Sequence, residues 1–304
     1  MTSLSATVTV FCLLAISATA QSNVVIRVVA ANLSSGNKQR YETPGVDILK
    51  GLKPDIVAIQ EFNYASPTTN GVNTPAALRE MIDTTFGTSY VYFRESSYAI
   101  PNGIISRYPF RASGSWPSDI SNRGYAWAEI DLPGTNDLYI VSVHLKASKG
   151  SASQRAAEAS AIKSNILATF PTNAWIIVAG DMNLFSESES AITTFTTFLS
   201  DSPVPTDSNG DPDTNSSRQK RYDRVLPSFS MTNALTPVVL PSNTFSNGLV
   251  FDSRVYTPLS DASSVQSGDS AASGMQHMAV VKDFLILLGV PSPTSNLQLV
   301  PPHH

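Results

Sequence analysis

The chain has 304 residues, 42% hydrophobic and 14% charged, with a net charge of −4. That is ample apolar material for one large or two small domains, and it excludes a disordered polyelectrolyte. A net negative chain also sets up no global attraction for polyanions, so phosphate binding must be local.

The first predicted element is a leader. Val8 to Ser17 is apolar and precedes Ala18-Thr19-Ala20, a small-x-small cleavage pattern. Residues 1–20 are therefore expected to be a signal peptide and the protein to be secreted, extracellular or periplasmic. The run is shorter than the roughly 20 residues a membrane span needs, so no stable membrane insertion is expected. Cys12, the only cysteine, lies in this leader, so the mature chain is expected to hold no disulfide.

Val24 to Asn32 reads as a buried strand rich in β-branched residues. "ETPGVDILKGL" is helix-like and stops near Gly51, and "PDIVAIQE" is a strand ending at Glu61. A helix follows from Thr74 as cap with Pro75 in its first turn. Shorter strands are expected in "YVYFR", "GIISR", "AWAEIDL" and "LYIVSVHL", the last carrying His144. Ser151 to Phe170 is the strongest helix pattern, and "AWIIVAGD" is a strand that delivers Asp181 at its end. "SESESAITTFTTFL" is helix-like, and residues 201–219 read as a long polar surface loop. "YDRVLPS" and "AVVKDFLILL" are late strands, and residues 289–304 lack periodicity and read as an unstructured tail. Strands outnumber helices and occur both in hairpin-like pairs and across helices, which argues for mixed sheets covered by helices in one domain over residues 21–288.

Polar residues interrupt the strand ends at Asn32, Glu61, His144, Asp181 with Asn183, Asp223 and His277. Strand ends on one edge of a sheet converge in space. Carboxylates, carboxamides and two imidazoles suit a hard divalent cation and proton transfer. No HExxH spacing, GxSxG elbow or GxxxxGK[ST] loop occurs, so a zinc protease, a serine hydrolase and a P-loop NTPase are unsupported. A charge such as Glu61 ending an apolar strand is costly unless it binds something. The plain alternatives are an Asx turn at Asp181-Met182-Asn183 and two ordinary core histidines.

The ordered set "AANLSS", "PDIVAIQE", "VSVHLK", "AGDMNLF", "RYDRVL" and "QHMAVVKDF", over residues 24–287, resembles the endonuclease/exonuclease/phosphatase (DNase I-like) superfamily, as a secreted bacterial-type member. The resemblance implies an α/β four-layer sandwich, two packed mixed β-sheets flanked by helices, and Mg²⁺- or Mn²⁺-dependent hydrolysis of phosphodiesters. It implies Glu61 and Asn32 as metal-binding residues. It implies catalytic roles for His144, Asp181, Asn183, Asp223 and His277, with Asp181 positioning water and His277 acting as general base or orienting group. Nucleic acid is the expected substrate and a monomer the expected state. The alternatives are a phosphodiesterase on lipid headgroups or small phosphoesters, and an impaired member that only binds phosphate-bearing ligands.

Arg123, Arg221 and Arg224 are candidate phosphate contacts, the last two in a basic cluster with Arg218 and Lys220 whose plain alternative is a solvated loop. "DSNGDPDTN" spaces acidic and amide side chains like the start of a calcium loop, which raises a structural Ca²⁺ against a merely polar loop. The family usually places an aspartate before the late histidine, where this chain has Gln276. Asp269 is therefore the expected partner of His277, with Gln276 acting alone as the rival, and Glu95 is the nearest acid proposed for His144.

Overall fold

A computed structural model describes residues 23–36, 39–64, 73–134 and 136–288. The expected signal peptide and the expected tail at 289–304 lie outside the described residues. The larger sheet comprises β1 (Asn23–Ala31), β2 (Ile56–Ile59), β3 (Val91–Arg94) and β4 (Gly103–Ser106), joined by late strands. Helices α1 (Thr43–Leu52) and α2 (Pro75–Thr85) cover its outer face. The second sheet is built of β5 (Phe110–Trp116), β6 (Tyr125–Ile130), β7 (Leu138–His144), β8 (Trp175–Asp181) and β9 (Asp223–Pro227). Helices α3 (Ala152–Thr169) and α4 (Ser190–Phe195) lie against it. The short strands β10 (Leu235–Thr236) and β13 (Leu249–Phe251) flank β14 (Ala279–Leu287), while β11 (Val238–Leu240) and β12 (Asn243–Phe245) form a separate ribbon.

The layering follows from burial on both faces. In β1, Val28 and Ala30 join Ile140, Ile177, Ala179 and Val225 in the core between the sheets, while Val29 and Ala31 pack under the helices. That is why these strands read as continuous apolar runs instead of alternating ones. The parallel pairs are β1–β2 and β7–β8, each bridged by a helix, and the other pairings are antiparallel. The expected four-layer α/β sandwich is the fold observed.

Three local features differ from the sequence reading. Helix α3 is preceded by a single 3₁₀ turn, and Ser151 makes no side-chain capping bond, whereas Thr74 accepts the Ala77 N–H at 3.1 Å as expected. Helix α4 is short, Ser190–Phe195, and Glu189 just before its first turn pairs with buried Arg155 at 2.7 Å. The 201–219 segment is not a free surface loop: Thr214 is fully buried and Asn215 bridges His277.

Two buried contacts fix the sheets at the end that matters. Gln60 Nε2 donates to Ser142 Oγ at 2.9 Å, and that hydroxyl donates to Ile59 O at 3.1 Å, a polar tie from β2 to β7. Gly180 has φ +135°, and a Cβ there would lie 2.1 Å from Val143 O, so only glycine lets β8 close on β7 just before Asp181.

Candidate active site

Topology alone brings the strand-end residues to one edge. Parallel β1 and β2 both end there, delivering Asn32 and Glu61. In the second sheet His144 pairs in register with Asp181, and Asp181 with Asp223 across the antiparallel β8–β9 pair. Strand β14 runs antiparallel to β1, so His277, just before its start, arrives at the same edge. Tyr41, fully buried, secures the turn after β1 by donating to Ala31 O at 2.6 Å and accepting from Leu33 N at 3.1 Å.

Asp181 is the hub. Its Oδ2 lies 3.1 Å from Asn32 Nδ2, 3.0 Å from Asn183 Nδ2, 3.2 Å from His144 Nε2 and 3.6 Å from His277 Nε2. Its Oδ1 accepts the Asn183 N–H at 2.8 Å. So the Asx turn does form, with Asn183 at φ +48°, and it is the device that aims both side chains. Burial by itself raises the Asp181 carboxyl, but His277, His144 and the Asn183 N–H outweigh it and hold the group well below the usual carboxylate range.

His277 Nδ1 lies 2.8 Å from Asp223 Oδ2, which also accepts from Thr214 Oγ1 at 2.7 Å. Burial lowers the imidazole, yet Asp223 and then Asp181 more than reverse this and push it up to about 10. The proton shared with Asp223 resides on the imidazole because a second carboxylate faces the other ring nitrogen. This sets a pH dependence of stability in the metal-free protein. An unfolded histidine releases its proton near 6.5, and the folded one near 10. The stabilisation is therefore complete below about pH 6.5 and is lost as pH rises through about 10. Thermal melts of metal-free protein should show Tm falling across that window, and His277→Gln should remove the slope.

Several sequence expectations are corrected here. Asp269 is not the partner of His277: its Oδ2 accepts the Gln266 N–H at 2.7 Å and closes a turn. Gln276 is exposed and serves through its backbone carbonyl, which accepts from Ser216 N at 2.8 Å, so its amide does not orient the ring either. Glu95 does not reach His144. It accepts the Asn102 N–H at 2.8 Å and the Ser115 hydroxyl, and the acid beside His144 is Asp181. Thr214 and Ser34 escaped the sequence reading because a hydroxyl in a polar stretch carries no distinguishing pattern.

The basic cluster is also corrected. Arg224, 1% exposed, pairs with Glu187 at 2.6 Å and with Asp201, and Arg221 pairs with Asp201 as well. Their charges are spent within the fold and present no phosphate-binding face. Arg224→Ala is expected to cost on the order of 2 kcal/mol of stability, which denaturant melts check. The calcium-like loop finds its cation in the chain: Arg218 lies 2.7 Å from Asp207 Oδ2 and 3.2 Å from Asp211 Oδ2, so a guanidinium sits where a structural Ca²⁺ was considered. Arg123 does belong to the site. It is 5% exposed, donates to Leu145 O at 3.4 Å beside the Asn183 amide, and its Nε has no partner among the described residues. Burial lowers its pKa, with Asp181 and Glu61 the first opposing charges.

The donor set fits a divalent cation. Glu61 is 3% exposed, accepts only the Ser34 hydroxyl, and faces no Lys, Arg or His bridge among the described residues. Its φ of +52° is a left-handed conformation costing on the order of 1 kcal/mol. Asn32 Oδ1 and Asp223 Oδ1 are buried and unpartnered. Asp181, Asp223 and His277 also offer ligand atoms within 4.8 Å of one another. Those three carry a net negative charge even with His277 protonated, and the Glu61 carboxylate is buried with no direct ion pair among the described residues, a configuration a hard cation relieves.

A model of the Endonuclease/Exonuclease/phosphatase family matches residues 46–246. No curated protein matches the chain by sequence. Among solved structures, an endonuclease/exonuclease/phosphatase from Beutenbergia cavernae is 18% identical with a TM-score of 0.60, covering 88% of this chain and 73% of that one. TDP2 from D. rerio, complexed with a single strand DNA product, is 17% identical at TM-score 0.56, covering 86% and 98%. The human Nocturnin catalytic domain with a bound sulfate anion is 16% identical at 0.55, covering 88% and 97%. At these identities the likeness is one of fold.

Proposed function

The chain belongs to the endonuclease/exonuclease/phosphatase family, and on that footing we propose that it is a secreted, monomeric, divalent-metal-dependent phosphodiesterase acting on nucleic acid. One observation carries the reading: a buried Asp181 carboxylate held between two imidazoles, with the Asn183 amide on the same oxygen. Hydrolysis of a phosphodiester needs a base-like oxygen to orient water, donors for the phosphoryl oxygens, and a proton for the leaving oxygen. Asp181, kept ionised, orients the water. Asn183 and Arg123 donate to phosphoryl oxygens, and His277, held protonated by Asp223, stabilises charge that develops as the bond breaks. His144, whose Nε2 meets the same Asp181 oxygen, serves the leaving oxygen. Glu61 and Asn32 would hold Mg²⁺ or Mn²⁺, which when bound supplies neutralisation of phosphoryl charge. Asp181 thereby keeps the water-positioning role expected of it, and of the two roles expected for His277, general base or orienting group, a protonated ring favours the second.

Nucleic acid is favoured over a lipid headgroup by the two aromatic rings, Tyr222 and Phe185, that line up beside the His277 ring, since every nucleobase has a π-face to place there. The fold likeness to TDP2, which was solved with single strand DNA, supports the same direction. The test runs DNA cleavage (plasmid and single-stranded circles), sphingomyelin hydrolysis and an aryl phosphodiester side by side, with Mg²⁺, Mn²⁺ and EDTA. Metal-dependent DNA cleavage is expected. Preference for sphingomyelin moves the protein to the lipid class, and inactivity on all three overturns catalysis.

A further inference from the structure

Resting on the nuclease reading above, we propose that Phe185 and Tyr222 form a stacking platform for an unpaired nucleobase next to the scissile phosphate, with Lys220 taking the neighbouring phosphate, so that the substrate is a single-stranded polynucleotide. Tyr222 immediately precedes Asp223, and its ring lies 5.8 Å from the His277 ring at an interplanar angle of 44°. The Phe185 ring lies 5.4 Å beyond it at 55°. Both are half-buried, and the buried Arg155 guanidinium braces one face of Phe185 at 5.4 Å from its centroid, so the partly exposed remainder of the ring pair is what a base can meet.

The chemistry beyond the rings agrees. A cleft of about 130 Å³ is lined by Phe185, Gln219, the cations Lys220 and Arg221, and the carboxylates Glu187 and Asp213, the first of which is paired with Arg224. That is below the roughly 300 Å³ from which small-molecule pockets start, so it takes a charged group or a base edge and not a whole nucleotide. In the 218–224 cluster Arg218, Arg221 and Arg224 are each paired with carboxylates, and Lys220 alone forms no ion pair among the described residues. It is half-buried, anchored by one donated bond from Nζ to Phe185 O at 3.1 Å, with two further donors left for an anion. A cation one side chain beyond an aromatic pair suits a backbone phosphate following a stacked base. Base-on-ring stacking is worth about 1–3 kcal/mol per base and needs a base already out of its helix, which a duplex does not offer without unpairing.

The experiment compares cleavage of one oligonucleotide in three forms: single-stranded, duplex, and single-stranded with an abasic analogue beside the cleaved bond. Wild type is expected to cleave the single strand about tenfold better in kcat/KM than either other form. Phe185→Leu and Tyr222→Leu, with thermal melts to establish folding, should shrink the preference for the base-bearing strand over the abasic one to about twofold or less, mainly through KM. Lys220→Gln should raise KM on both single strands and lower the slope of log affinity against log salt by about one. If wild type cleaves base-bearing and abasic strands equally, or both leucine variants keep the full preference, the platform is wrong while the nuclease reading stands. If wild type cleaves none of the three yet hydrolyses the aryl diester, the nuclease reading itself has failed.

Discussion

Asp223→Asn is expected to lower kcat roughly 10³- to 10⁴-fold, in line with the loss seen when an acid orienting a catalytic histidine becomes an amide. The substitution is a clean test of charge because the site tolerates its shape. The oxygen that receives His277 Nδ1 and the Thr214 hydroxyl can remain an amide carbonyl. The other carboxylate oxygen is buried without a partner, so an NH₂ there displaces no existing bond. What disappears is the negative charge that, together with Asp181, raises the imidazole to about 10. The histidine should then titrate much closer to its ordinary 6.5, and the ring should be neutral at the pH of assay. An NMR titration of the His277 ring protons in metal-free protein, beside a pH–rate profile of the loaded enzyme, measures both effects. Asp269→Asn is the comparison, since its carboxylate only closes the Gln266 turn. A loss there equal to that of Asp223→Asn would overturn the assignment of partner.

Glu61→Gln should move stability and activity in opposite directions. The carboxylate is buried, accepts only the Ser34 hydroxyl and makes no direct ion pair among the described residues. An isosteric amide keeps that hydrogen bond and removes the charge, which is expected to stabilise metal-free protein by about 1–2 kcal/mol. Wild type should gain about 2.7 kcal/mol from Mg²⁺ or Mn²⁺ at a hundredfold excess over Kd, whereas the variant should gain little. Loss of metal-supplied charge stabilisation should cut kcat roughly 10²- to 10³-fold. Denaturant melts with and without metal, and calorimetric titration of the ion, distinguish this from a merely structural role. A variant destabilised in metal-free form, or one that still binds the ion as tightly, would show that Glu61 is not the cation's principal carboxylate.

Much of this architecture was legible along the chain. Continuous runs such as "VVIRVVAA" and "WIIVAG" identify strands buried on both faces, because only a strand between two apolar layers avoids polar alternation. Polar residues ending such runs are expensive to bury without a purpose, so Glu61 and Asp181 stood out from the surrounding sequence. Edge strands were harder. In "FRASGSW" half of the side chains face solvent, and glycine and serine blur the period. The short strands β10 to β13 span two or three residues each, too few for any period to register.

Partnership was the part that local sequence could not decide. Asp269 lies closer to His277 in the chain than Asp223 does, and the basic residues at 218–224 look like a phosphate patch when read as neighbours. Hydrogen bonds and ion pairs form across space, at separations of 54 residues for Asp223–His277 and 37 for Arg224–Glu187. Sequence by itself determined the element types and the residues placed at the strand ends, because hydrophobic period and the cost of buried charge act locally. Only the tertiary structure decided which carboxylate holds which histidine, which arginines are spent in the fold, and that Glu61 makes no direct ion pair among the described residues, since those outcomes depend on strand register and on which ends the two sheets share.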